Sequence, residues 1–173
     1  PRGDLTEDER QLVKAASEST RDAASFLFST IRLPYGVMRI LFDTNILIDA
    51  AVKPREHHDT ANRLLASAER GGVEGLVAPA SITTCWYVST STYGVDPRPL
   101  FEYLSTVLDL ARMNWPALSE ALEAPVEADF EDEYIAAAGA QAGAEVVVTR
   151  NAADFRDGPL TAYRPEEVIE ALG

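Results

Sequence analysis

Several residue types that commonly build metal or disulfide sites are scarce in this sequence. Cys85 is the only cysteine, which excludes an internal disulfide and a CxxC zinc motif and fits a reducing cytoplasm. The two histidines, His57 and His58, are adjacent, and neighbours on a helix point roughly 100° apart, so they cannot share one ion. We interpret both as residues at the start of a helix. A catalytic or metal-binding site in this chain must therefore be built from other side chains.

Long apolar runs and basic residues are also scarce. No run approaches the roughly 18 apolar residues that a membrane-spanning helix requires, so no membrane association is expected. The chain has 28 acidic and 15 basic residues, a net charge of −13. Ten basic and 22 acidic residues belong to residues 38–173, so the acidity lies in the main part of the chain. Such a surface repels nucleic-acid phosphates at long range, unless acids that share a cleft bind cations.

The chain is organised around residues 39–49, which read RILFDTNILID. Arg39 to Phe42 predict a short buried strand that ends on Asp43. Thr44 or Asn45 is then expected to cap the helix that follows. A carboxylate at the carboxyl end of a buried parallel strand lies where α/β sheets bind ligands.

The rest of the sequence alternates predicted helices with predicted strands, which is typical of an α/β fold with a mostly parallel sheet. Further strands are expected over residues 75–79, 111–115, 145–149 and 161–163. Helices are expected over residues 57–70, 81–92, 96–110, 116–123, 130–142 and 165–172. Residues 1–37 predict a helical N-terminal extension with an apolar stripe and a linker, ahead of a main domain over residues 38–173.

Three acids can meet if the strands before Asp43 and Asp154 are neighbours in the sheet. Asp132 lies one turn into the helix that leads to the strand before Asp154. Clustered carboxylates favour a hard divalent cation, which activates water and stabilises charge at a phosphoryl group. Glu131 and Asp129 are within reach as outer acids, although Asp129 is better interpreted as a solvated helix start that complements the helix dipole.

Three motifs of this sequence resemble those of the PIN domain family, and most closely its VapC-type toxin branch of toxin–antitoxin pairs. They are FDTNILID at 42–49, DFEDEYIAAA at 129–138 and VTRNAADF at 148–155. The resemblance covers residues 38–173 and implies a three-layer α/β/α sandwich with a five-stranded parallel sheet of order 3-2-1-4-5. It implies Mg2+- or Mn2+-dependent cleavage of RNA. It also implies three metal-binding acids, Asp43, Asp132 and Asp154, and orienting or substrate-binding residues, Asn45, Thr84, Thr149, Arg150 and Asn151.

The sequence departs from the family pattern on the helix after the second strand. Many PIN nucleases carry a Glu there, whereas this chain has Thr84, with Thr83 beside it. The metal cage then carries one fewer negative charge. Asp49 or Glu131 could complete it, but Asp49 could equally be a capping or salt-bridge residue.

The expectation is therefore a cytoplasmic endoribonuclease of a toxin–antitoxin pair. The resemblance implies RNA as the substrate, a cognate antitoxin whose tail enters the cleft, and a homodimer. An alternative is a degenerate PIN fold that acts only as a binding or regulatory module. A phosphatase of the HAD type is disfavoured, because its general acid is absent where Asn45 stands and the chain has only two lysines, Lys14 and Lys53.

Overall fold

The computed structural model describes residues 37–156 and 158–172. The predicted N-terminal helix and its linker lie outside these residues. No helix within the described ranges is both long enough and apolar enough to cross a membrane.

The described chain contains one five-stranded sheet in which every pair of neighbouring strands is parallel. The strands are β1 Arg39–Phe42, β2 Glu74–Val77, β3 Leu108–Leu110, β4 Val146–Val148 and β5 Thr161–Tyr163. Their order is β3-β2-β1-β4-β5, which confirms the order expected from the resemblance. The chain moves from β1 to one side of the sheet and then returns to the other, so the switch point lies between β1 and β4. Phe42 at the end of β1 pairs with Val148 at the end of β4, and ligands bind outside such strand ends.

Helices cover both faces of this sheet. They are α1 Thr44–Ala51, α2 His58–Glu69, α3 Pro79–Ser91, α4 Arg98–Val107, α5 Trp115–Ala121, α6 Phe130–Gln141 and α7 Pro165–Leu172. Successive side chains of a strand point to opposite faces, and both faces of the central strands are buried. Ile40 and Phe42 pack with residues of α1, α2 and α7, whereas Leu41 and Val147 pack with α6. The result is the predicted three-layer sandwich.

Helix α6 approaches the sheet closely because its buried face is made of small residues. A Cβ atom added at Gly139 would lie 2.6 Å from Cδ2 of Leu41. This approach matters for the site, because the first turn of α6 carries Glu131 and Asp132.

Three predicted elements are displaced in the structure. The helix expected over residues 96–110 occupies Arg98–Val107, because residues 108–110 form β3. The third strand was expected at 111–115 but occupies Leu108–Leu110, and its ladder with β2 ends where the Ala111 N–H donates to the Val77 carbonyl at 2.9 Å. Helix α3 begins at Pro79, so Ser81 is a buried residue inside the helix and not its cap. Proline is favoured at the first position of a helix because its missing N–H has no intrahelical partner there.

Candidate active site at the switch point

Asp43 occupies the turn between β1 and α1. Its backbone is extended, with φ −71° and ψ 158°, and its N–H donates to the Val148 carbonyl at 3.1 Å, which joins the turn to β4. The carboxylate atom Oδ1 accepts the Thr44 N–H at 2.5 Å. Asp43 is therefore the cap of α1, and the expectation that Thr44 or Asn45 caps it was wrong. An acid at this position lies at the positive end of the helix dipole, which favours its negative charge.

The second oxygen of Asp43 is held by two polar side chains. The Thr149 hydroxyl donates to Oδ2 at 2.6 Å and the Asn45 amide Nδ2 donates to it at 2.5 Å. Asn45 Nδ2 also lies 2.9 Å from Thr149 Oγ1, which itself accepts the Asn151 N–H at 3.0 Å. The Arg150 N–H donates to Asn45 Oδ1 at 3.2 Å. The turn after β4 and the start of α1 are thus joined around one carboxylate.

The acids predicted from the three motifs interact electrostatically. Burial raises the pKa of Asp43 to about 6, against the effect of its hydrogen bonds, and Glu131 and Asp154 raise it further. Burial also raises the pKa of Asp132 to about 7, with added repulsion from Asp43, Asp129, Asp154 and Glu131. Asp43, Asp132, Asp154 and Glu131 are therefore near enough to one another to interact electrostatically, and we refer to these four residues as the acidic cluster. Asp129 is exposed and caps α6 by accepting the Glu131 N–H at 2.9 Å, as predicted.

The position that departs from the family pattern faces this cluster. The Thr84 hydroxyl donates to Glu131 Oε1 at 2.8 Å, which links α3 to the first turn of α6. The neighbouring Thr83 hydroxyl bonds its own helix at the Ala80 carbonyl, at 2.8 Å. Of the two threonines, Thr84 is the one that points toward the acids.

The described side-chain contacts of Asp49 are with arginines and not with the acidic cluster. Asp49 is fully buried, and both its carboxylate oxygens are paired with arginines: Oδ1 with Arg55 Nε at 2.5 Å and Oδ2 with Arg150 Nε at 2.7 Å. Arg55 donates a hydrogen bond to Oδ1, whereas Arg150 is close enough to Oδ2 for an ion pair but is not aligned for a hydrogen bond. The salt-bridge alternative for Asp49 is the one this geometry shows. Sequence reasoning did not identify Arg55, because no local pattern indicates which acid a loop arginine will contact.

The donor set fits a hard divalent cation by its chemistry, since carboxylate, hydroxyl and amide oxygens are the ligands that Mg2+ and Mn2+ accept. Burial first, and neighbouring acids second, raise the pKa values of Asp43 and Asp132, so a bound cation would favour their ionised forms. Within the described ranges, however, no three acidic, histidine or cysteine side chains are arranged so that they could hold one ion. The structure presents an acidic cluster rich in oxygen ligands, not a preformed metal cage.

Comparisons with known proteins agree with this architecture. The family model described as PIN domain matches residues 39–153. A chain of a toxin–antitoxin complex from Klebsiella pneumoniae superposes with a TM-score of 0.54 at 20% identity, covering 73% of this chain and 97% of that one. A chain of VapBC2 from Rickettsia felis, bound to a DNA fragment from its promoter, gives a TM-score of 0.55 at 17% identity and covers 73% and 98%. No curated protein sequence matches significantly. Because the family model spans well over half of the sequence, the chain belongs to the PIN domain family.

Proposed function

We propose that this protein is a metal-dependent endoribonuclease and the toxin of a VapBC-type toxin–antitoxin pair. The observation that carries the proposal is the position of Asp43 at the sheet switch point, where Asn45 and Thr149 hold its buried carboxylate. Its electrostatic interaction with Asp132 and Asp154, from two other parts of the chain, supports the proposal. Membership of the PIN domain family and the shared fold with solved toxin–antitoxin complexes support it.

In this proposal Asp43, Asp132 and Asp154 hold Mg2+ or Mn2+. A bound ion supplies an activated water and offsets charge at the phosphate. Asn45 and Thr149 fix Asp43 through Oδ2, and the Thr44 N–H holds Oδ1. These three acceptor bonds hold the carboxylate in orientation and leave one lone pair on Oδ1 for an ion.

Glu131, and not Asp49, is the acid that takes the place of the missing family Glu. Thr84 stands at the family position and its hydroxyl holds Glu131 Oε1, so a carboxylate from α6 reaches the place where α3 would have supplied one. Asp49 is excluded from this role because two arginines already occupy its oxygens.

The turn after β4 provides polar groups that are linked to Asp43. Asn151 is exposed, and its N–H donates to Thr149 Oγ1, the hydroxyl that donates to Asp43. We assign Asn151 to contacts with the RNA backbone next to the scissile phosphate, because most protein–nucleic acid hydrogen bonds go to phosphate and sugar.

An apolar patch on α5 and the following loop supports a homodimer. Trp115, Leu122 and Val126 are exposed to 80%, 68% and 97% of their surfaces, while Ala117 and Ala121 on the other side of α5 are buried. Exposed apolar patches of this kind commonly mark protein interaction sites. We therefore assign this patch to a second copy of the chain, and the acidic cleft to the tail of a cognate antitoxin.

The alternative of a non-catalytic binding module is favoured by one observation, the lack of a preformed ion-holding group among the described residues. The two functions differ in the effect of Mn2+, because only a nuclease needs the ion at Asp43.

The deciding experiment is a cleavage assay on total RNA with and without Mn2+. We compare the wild type with Asp43→Asn, and with Asp59→Asn as a matched control at an exposed acid in the first turn of α2. We expect Mn2+-dependent cleavage by the wild type and by Asp59→Asn, and none by Asp43→Asn. Equal activity of Asp43→Asn would exclude the proposed site, and an inactive wild type that still binds its partners would favour the binding module.

The domain boundary is a second part of the proposal. We assign residues 1–37 to an extension that cleavage does not need, and residues 38–173 to the nuclease domain. A chain truncated to begin at Met38 should fold and keep Mn2+-dependent cleavage. A folded but inactive truncation would show that the extension contributes to the site.

A further inference from the structure

The proposed reaction does not use the most deeply buried acid of the described chain. Asp49 lies in α1 with no exposed surface, and it is shared by Arg55 and Arg150 at 2.5 Å and 2.7 Å. A buried carboxylate is retained only when cations or hydrogen bonds compensate its lost hydration. One arginine would neutralise the charge of Asp49, so charge neutrality alone does not explain the presence of both.

Arg150 connects this ion pair to the acidic cluster. Its side chain contacts Asp49, while its backbone N–H donates to Asn45 Oδ1 at 3.2 Å. The residues on either side of Arg150 continue the connection: the Asn151 N–H donates to Thr149 Oγ1 at 3.0 Å, and that hydroxyl donates to Asp43 at 2.6 Å. The position of the turn at 149–151 therefore sets the direction of the hydrogen bonds that hold Asp43.

Arg55 connects Asp49 to Tyr93 and not to the acidic cluster. Its guanidinium donates to the Tyr93 hydroxyl and lies over the Tyr93 ring, 5.4 Å from the ring centre. Its contacts join α1 to the loop after α3, and none of those described reaches Asp43, Asn45 or Thr149.

We propose that Asp49 is a positioning residue, which holds the 149–151 turn against α1 through Arg150 and so orients Asp43 for its ligand. The consequences for Mn2+ binding and cleavage rest on the proposed nuclease function, whereas the consequence for the turn does not. Outer partners of metal ligands fix ligand orientation, and their loss commonly costs about 10- to 100-fold in metal affinity or activity. A purely structural ion pair would instead stabilise the fold without favouring one arginine over the other.

The two arginines provide a matched comparison, Arg150→Met against Arg55→Met. Each variant leaves Asp49 with one arginine and removes a guanidinium of the same size. The first readout is amide hydrogen exchange at Arg150 and Asn151, whose N–H groups report the turn without metal or RNA. We expect both amides to exchange about tenfold faster or more in Arg150→Met, and within about threefold of the wild type in Arg55→Met.

The second readout is calorimetric titration of Mn2+, with kcat and KM for RNA cleavage measured alongside. We expect Arg150→Met to weaken Mn2+ binding at least about tenfold and to lower kcat more than it raises KM, and Arg55→Met to change each by less than about threefold. Arg150→Lys restores a cation to Asp49 and should recover most of both values. If Arg150→Met fails to fold, Arg150→Gln is the test variant, because it removes the cation and keeps a polar side chain.

Equal effects of the two methionine variants on amide exchange, or no effect of either, would overturn the positioning role. Failure of Arg150→Lys to recover slow exchange at both amides would also overturn it. The outcome is separable from that of the proposed function. If the wild type neither binds Mn2+ nor cleaves RNA, the nuclease proposal fails, while the exchange comparison still decides whether Asp49 positions the turn.

Discussion

Replacing Asp43 by asparagine should change the stability of the protein in a direction that depends on pH. Asp43 is 3% exposed, and its pKa is raised from 3.8 to about 6. One pKa unit corresponds to about 1.4 kcal/mol, so the ionised carboxylate lowers the free energy of unfolding by about 3 kcal/mol. The folded state binds the proton more tightly than the unfolded state. The cost is therefore absent below pH 4, grows as the pH rises, and is complete above pH 6.

Asparagine removes this charge but also disturbs hydrogen bonds. Asp43 Oδ2 accepts from both Asn45 and Thr149, and an amide NH2 in that place can no longer accept. The Thr149 hydroxyl loses its acceptor, whereas the Asn45 amide keeps a second partner, Thr149 Oγ1 at 2.9 Å, so the net loss is about one hydrogen bond, or about 1 kcal/mol. The net expectation without metal is a gain of about 1–2 kcal/mol at pH 8 and a loss of about 1 kcal/mol at pH 4, from the terms of about 3 and about 1 kcal/mol above.

The assay is urea unfolding of both proteins in a metal-free buffer at pH 4, 5, 6, 7 and 8, with Asp59→Asn as the control at an exposed acid. The difference between wild type and Asp43→Asn should change sign between pH 4 and pH 8, and Asp59→Asn should show no such change. Saturating Mn2+ should stabilise the wild type and Asp59→Asn, but not Asp43→Asn, by about 3 kcal/mol at 100 times Kd. A variant that is less stable than the wild type by the same amount at every pH would refute the argument from burial and repulsion.

Three further changes test the packing, the acidic cluster and the apolar patch. Gly75→Ala should destabilise the fold by about 1–3 kcal/mol in urea unfolding, because the added methyl would lie 2.1 Å from Leu108 Cδ2 in the adjacent strand. Thr84→Val, which removes the hydroxyl that holds Glu131 at 2.8 Å, should weaken Mn2+ binding severalfold in calorimetry, and unchanged affinity would place Glu131 outside the metal site. Trp115→Ser should shift the chain from dimer to monomer in light scattering without loss of fold, and an unchanged mass would separate the α5 patch from the dimer contact.

Much of the fold could be predicted from the sequence, because its signals are local. The buried runs at Arg39–Phe42 and Val146–Val148 determined two neighbouring strands, and Asp129 marked the start of the helix that carries Asp132. The resemblance of the three motifs to the PIN domain family then supplied the strand order, which residue patterns alone do not determine. The approach of Asp154 to Asp43 follows from that order, because the carboxyl ends of adjacent parallel strands lie at one edge. Asp132 joins them from the first turn of α6, the helix that leads into β4.

The partners of individual side chains were decided only by the tertiary structure. The sequence left Asp49 between a metal ligand and a salt bridge, and its distance from Asp43 along one helix could not separate the two. What separates them is Arg150, 101 positions further along the chain, which the pairing of β1 with β4 brings beneath α1. Thr84 and Glu131 are likewise joined by the packing of α3 against α6, across 47 positions. Helix and strand periodicity depends on near neighbours. The choice of partner for a buried charge instead depends on which distant cation the assembled sheet and helices place within reach, since an unpaired buried charge is too costly to retain.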